Sequence, residues 1–217
     1  MKDILEAARD NELFSGIECE DFAEICSRLS LKAVRYKKDE IIMLCGAAVT
    51  FIGIILSGEI KIIKEDERGN VSMLTELSAP DTFGDVLACA GIMESPVTVM
   101  ARSDAHILQI GSKNILSLCD KACAAHRRFV ENLLRAIARK SFLLNRKIEI
   151  LSRRSTREKL LAFLDFYGRG EKLFRVPYNR EEMAHYLCVD RSAMSAELCR
   201  MRDEGLIRFD RNRFEIL

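Results

Sequence analysis

The 217-residue chain has no run of the roughly eighteen apolar residues that a membrane-crossing helix needs. Its N-terminus, MKDILEAARDNELF, is acidic and amphipathic and lacks the basic-then-apolar order of a signal peptide, so the expected compartment is the cytoplasm. Catalytic signatures are also missing: there is no P-loop, no H-E-x-x-H and no nucleophile elbow. No catalytic residues are therefore assigned, and an enzyme is not expected. The eight cysteines lack the dense spacing of a secreted disulfide scaffold, and no C-x2-C occurs among them. His106, His126 and His185 are the only histidines, and none sits in a haem-ligand motif. Cys119, Cys123 and His126, spaced by four and three, can share a helix face and hold a metal, but such residues more often line a subunit interface. No metal site is assigned.

The net charge of +1 is the sum of unlike parts. Residues 1–119 carry 12 basic and 19 acidic side chains (−7), 120–152 carry 8 and 3 (+5), and 153–217 carry 14 and 11 (+3). A positive C-terminal half favours a polyanionic partner, because phosphate contacts supply most sequence-independent affinity for nucleic acid. The hydrophobic fraction of 48% is enough for more than one core, and the length suits two domains.

Short helices are expected first, with Leu5, Ala8 and Leu13 on one face, then Phe22, Ile25 and Leu29. From Leu31 to Ile110 short β-type runs follow one another: LKAVRY, EIIML, FIGIILS, EIKIIKE, VSMLTEL, PVTVMA and AHILQI. Their spacing, with Gly46, Gly58, Gly69 and Gly84 at the junctions, predicts a compact antiparallel roll or barrel. After the short helical stretch SKNILSLC, Val130, Leu134, Ile137, Ser141, Leu144, Ile148 and Leu151 step by fours and threes, a heptad seam suited to a partner helix. Phe129, Leu133, Phe142 and Leu143 flank it and are expected to cover the roll. Ser152 to Arg154 is a polar break, read as a hinge, and Ser155 with Glu158 has the spacing of a capping box before the helix REKLLAFLDFY.

Asn179 to Gly205 reads as a helix-turn-helix. Asn179 and Glu182 have the spacing of a second capping box, Met183, Ala184 and Leu187 face inward, and Cys188-Val189 makes the turn. Asp190 caps a second helix with Met194, Leu198 and Met201 inside. KLFRVP is a strand, and LIRFDRNRFEIL gives two strands around Arg211-Asn212, a wing on which Arg208, Arg211 and Arg213 can meet phosphates or remain solvated. An isolated stretch of this kind can also be an ordinary helical hairpin. Its neighbours favour the DNA reader.

LFSGIECEDF, IILSGEIKI and DTFGD, followed by the long helix and helix-turn-helix, resemble the Crp/Fnr family of bacterial transcription regulators over essentially the whole chain. The resemblance implies an α+β architecture: a cyclic-nucleotide-binding-type antiparallel β-roll of jelly-roll type with N-terminal helices (1–119), a long dimerisation helix (120–152) and a winged helix-turn-helix (153–217). It implies a homodimer on double-stranded DNA at a near-palindromic operator, with RNA polymerase as a further partner. It places base-reading residues at Arg191, Ser192, Ser195 and Ala196, with Arg200 as a contributor, and backbone-positioning ones at Asn179, Arg180 and Asp190. Ala196 stands where many members carry arginine, so guanine readout is lost there.

Phe83 to Ala101 resembles the family's effector cassette. Phe83, Gly84, Asp85, Ser95, Pro96 and Thr98 are its candidate ligand residues. Gly84 and Asp85 match a Gly-Glu pair, while Ser95 and Pro96 replace the Arg-Ser pair that holds a cyclic phosphate. Cyclic AMP is therefore not the expected effector, and the cofactor is left open. An oxygen-sensing branch carries an iron–sulfur cluster, but Cys19, Cys26, Cys45 and Cys89 lack the required spacing. Two alternatives remain at this point: a ligand- or redox-sensing module whose winged helix binds protein, and a regulator active without any ligand.

Overall fold

The computed structural model describes residue 8, residues 11–66, residue 68, residues 71–115 and residues 124–217, the Cys19 side chain excepted. The expected helix face at Leu5, the junction at Gly69 and the pair Cys119 and Cys123 lie outside the described residues. The chain forms two compact units, Met1–Arg139 and Lys140–Leu217, and the division falls inside its longest helix.

In the first unit the Asn11 side chain caps a 3-10 turn at Glu12–Phe14, accepting from the Leu13 N–H at 3.0 Å. Helix α1, Cys19–Arg28, follows, and Phe22, Ile25 and Leu29 are buried as their spacing predicts. All seven predicted runs then form strands: β1 Lys32–Tyr36, β2 Ile41–Met43, β3 Phe51–Ser57, β4 Glu59–Glu65, β5 Val71–Ser78, β7 Thr98–Ala101 and β8 Ala105–Gly111. Two short elements had no counterpart in the pattern, β6 at Thr82–Phe83 and α2 at Asp85–Cys89. The strands build two four-stranded antiparallel sheets, ordered β1-β8-β3-β6 and β2-β7-β4-β5.

The run FIGIILS is apolar on both faces because β3 is buried on both. Ile52 and Ile54, opposite Ile110 and Leu108, join the core with α1, while Ile55 and Ile107 join Ile60, Val99 and Ala101 in the roll interior. Gly58 carries the chain from one sheet to the other at φ +84°, and a Cβ there would lie 2.3 Å from the Asp104 carbonyl oxygen. Only glycine fits this reversal.

Helix α3, Ser112–Ile115, begins where SKNILSLC predicts, and α4 runs from Ala124 to Leu151. Its 28 residues span about 42 Å. In the first unit α4 buries Ala125, Phe129, Leu133 and Ala136. The Asn132 amide donates to the Leu13 and Ser15 carbonyls at 3.2 and 2.8 Å, tying the N-terminal turn to the helix. Phe129 and Leu133 thus cover the roll as expected. Phe142 and Leu143 belong to the second unit and are 52% and 47% exposed.

In the second unit Ser155 and Glu158 form the expected capping box of α5, Thr156–Gly168. Then come β9 Leu173–Arg175, α6 Arg180–Leu187, α7 Arg191–Asp203, β10 Ile207–Asp210 and β11 Arg213–Ile216. The strands pair antiparallel in the order β10-β11-β9. Leu160, Phe163, Met183, Leu187, Met194, Leu198 and Met201 meet Phe174 and Phe214 in one core. Among the described residues no helix is long and apolar enough to cross a membrane.

Candidate functional site

Helices α6 and α7 are joined by Cys188, whose φ of +51° ends α6 in the left-handed conformation, and by Val189, half-buried against the core. Asn179 caps α6, accepting from the Glu181 and Glu182 N–H groups at 2.9 and 3.0 Å, and the Glu182 carboxylate accepts from the Asn179 N–H at 2.8 Å. Asp190 caps α7 through the Ala193 N–H at 2.9 Å, and the Ser192 hydroxyl donates to the same oxygen. These bonds, Ser192 first, hold the Asp190 carboxyl below the usual carboxylate range. The arrangement turns one face of α7 outward. Arg191, Ser192, Ala196 and Arg200 are exposed there and Ser195 is half-buried.

Two of the assigned residues are already engaged within the domain. The Arg180 guanidinium stands 4.7 Å from the Phe209 ring centroid and 5.1 Å from that of Phe214, and its pKa is lowered by burial. It therefore clasps the wing to α6, a cation–π contact. Arg200 donates to Glu197 at 2.9 Å, and Arg157 of α5 lies 3.6 Å from the same, largely buried carboxylate. Arg157 also pairs with Glu204. Glu197 falls inside the stripe Met194, Leu198 and Met201, so an acid on an apolar face was the available signal. On the wing, Arg211 occupies the turn at φ +51°, Arg213 is exposed, and Arg208 lies 3.7 Å from Glu215.

In the roll, the six cassette residues do not line one open surface. Phe83 is a core residue, 2% exposed, and its ring fills the space left by the missing side chain of Gly53, where a Cβ would lie 2.2 Å away. Asp85 is buried and accepts from the Thr82 hydroxyl at 3.4 Å, while Gly84 starts α2 at φ +74°. Ser95 is buried, and its hydroxyl donates to the Val97 carbonyl at 2.7 Å. Pro96 is exposed, and Thr98 accepts from the Cys45 N–H at 3.1 Å.

Cys26 is buried, which pushes its thiol up to about 11, and burial raises Cys89 as well. Cys45 is exposed. His126 is engaged with the Ile115 carbonyl at 3.0 Å. Among the described residues no group of three or more His, Cys, Asp or Glu is placed to hold a metal ion.

Along α4, Leu134, Leu144 and Ile148 are 67%, 59% and 56% exposed, and Ser141 is exposed too. Val130 and Ile137 are half-buried against the roll core, and Leu151 is half-buried.

A β-roll followed by a winged helix-turn-helix defines a two-domain regulator with a DNA-binding fold. Residues 33–122 match the cyclic nucleotide-binding domain, and residues 141–217 match the Crp-like helix-turn-helix domain. The chain belongs to the Crp/Fnr family of transcription regulators. Comparison with curated protein sequences gives no significant match. Among solved structures, the catabolite activator protein of Thermus thermophilus is similar at 20% identity, with 95% of this chain and 94% of that one covered and a TM-score of 0.53. DNR of Pseudomonas aeruginosa is similar at 17% identity, with 100% and 95% covered and a TM-score of 0.54. The c-di-GMP-responsive regulator CLP of Xanthomonas campestris is similar at 14% identity, with 89% and 98% covered and a TM-score of 0.53. At these identities the likeness is one of fold.

Proposed function

We propose that this protein is a homodimeric, sequence-specific regulator of transcription that reads a near-palindromic operator in double-stranded DNA. The observation that carries the reading is the outward face of α7, with Arg191 and Ser192 exposed in the first turn after the Asp190 cap. An arginine there reaches guanine O6 and N7 bidentately, and Ala196 leaves room for a thymine methyl. Two such helices, paired through the seam of α4, meet successive major grooves about 34 Å apart. Its activity is binding, not catalysis, in the cytoplasm, with RNA polymerase as the second macromolecular partner.

The effector is a small molecule other than cyclic AMP. No arginine stands at Ser95 or Pro96 to neutralise a phosphate, the Ser95 hydroxyl is already bonded inward, and proline has no N–H. The missing charge-assisted contact is worth about 1.5–3 kcal/mol. Such an effector acts by binding the DNA-competent form more tightly, with the break after Leu151 as the hinge. The inward-bonded Ser95 and buried Phe83 also favour a second reading, a roll that works without ligand. Thermal-shift measurements with cyclic nucleotides and small acids separate the two, and clear stabilisation by cyclic AMP would overturn the exclusion.

Selection of bound genomic fragments tests the main reading and yields the operator. Arg191→Ala is expected to cost about 1–3 kcal/mol, roughly fivefold to 150-fold, at the base pair it reads. Unchanged discrimination would remove Arg191 from the readout, and absence of DNA binding at any salt concentration would favour a protein partner for the wing.

A further inference from the structure

The chain has no tryptophan and four tyrosines, and three of the four gather beside α6: Tyr167 of α5, Tyr178 just ahead of α6, and Tyr186 within it. The Tyr178 and Tyr186 ring centroids are 5.2 Å apart at 42°, and the Tyr167 hydroxyl donates to that of Tyr178 at 3.1 Å. The buried Phe163 backs them, 5.4 Å from Tyr186. Tyr178 and Tyr186 line a cleft of about 560 Å3 whose other walls include Glu181, Glu182, His185 and Lys147. That volume lies within the usual range for small-molecule sites.

The cleft already holds a cation. The Lys147 ammonium, from the second-unit end of α4, stands 4.9 Å from the Tyr186 ring centroid. Ring faces are electron-rich and attract ammonium groups. Glu182 spends one carboxylate oxygen on the Asn179 cap, while Glu181 is exposed and makes no ion pair among the described residues. Aromatic faces beside two carboxylates that outnumber the one lysine suit a ligand with more than one positive charge.

We propose that this cleft binds a small multivalent organic amine, one ammonium resting on the tyrosine faces and another meeting Glu181. Lys147 is the tethered competitor for the aromatic face. This site is separate from the cassette, and its test needs no DNA, so it stands or falls independently of the DNA reading.

The experiment is titration of the full-length protein with spermidine, followed by calorimetry and by tyrosine emission, to which the cluster supplies three of the four tyrosines in the absence of tryptophan. Saturable one-site binding with an emission change is expected. Lys147→Ala should tighten it about threefold and Glu181→Gln weaken it about threefold, the scale of one exposed cation–aromatic or charge contact. Tyr186→Leu should abolish the emission change. Should Tyr186→Leu fail to fold, the exposed Glu181→Gln decides alone. The proposal is overturned by no binding to either wild type or Lys147→Ala, by affinity unaffected by Glu181→Gln, or by equal binding of magnesium ion. The last two would place the amine on generic acidic surface.

Discussion

Asp190 uses one carboxylate oxygen twice, for the Ala193 N–H that starts α7 and for the hydroxyl of Ser192. Its folded-state pKa is depressed, so its contribution is present above the ordinary value of 3.8 and is lost as pH falls through the lower folded value. Asparagine caps equally well and carries no charge. Asp190→Asn should therefore melt like wild type at pH 7 and lose less on acidification below about pH 4. Equal acid losses in circular-dichroism melts of both proteins would show that Asp190 does not set this dependence. Glu197 invites a different substitution. Its side chain is only 11% exposed and lies on the helix face of Met194 and Met201, while its partners Arg157 and Arg200 are 36% and 70% exposed and stay hydrated without it, so the ion pairs contribute little. Glu197→Leu should leave the melting temperature unchanged or raised while freeing Arg200, and a drop of more than about 5 °C would show the clasp to be stabilising. At this scale, residues whose partners lie within four positions were legible in the sequence: both capping boxes and the Asp190 cap. Arg180 was not, because Phe209 and Phe214 reach it from a strand pair far along the chain.

Among the elements, α4 carries the most consequence. Its exposed Leu134, Leu144 and Ile148 are large apolar side chains on a helix that also has a buried face. Leu144→Glu places a charge in the middle of that stripe and should convert a dimer to monomers in sedimentation-velocity experiments, with fold retained because Leu144 is exposed. A variant that still sediments as a dimer would move the interface elsewhere. Seven of the eight strands of the roll were readable because each run is long enough to show its pattern. Two-residue β6 and five-residue α2 are too short for any period, and both lie in the cassette. The same limit explains Phe83: the space it fills was opened by Gly53, on a different strand, and no local signal marks a core residue of that origin.

On the scale of the molecule, each unit has its own buried core, and only α4 belongs to both. Scanning calorimetry should accordingly resolve two transitions, and an amine bound at the tyrosine cleft should raise only the one belonging to Lys140–Leu217. A single transition whose calorimetric and van't Hoff enthalpies agree would show that the units unfold as one. The domain order was visible from the change of period along the chain, from strand runs to heptads to short capped helices. The tyrosine cluster was not, because its members come from three separate places in the sequence. Pairing through the apolar stripe on α4, as proposed, would make the protein sensitive to its own abundance. A reader that must pair before gripping two half-sites fills its operator with the square of its concentration while monomers predominate and the operator is mostly empty. A twofold change in synthesis then becomes about a fourfold change in bound operator, a sharper response than a monomeric reader can give at any affinity.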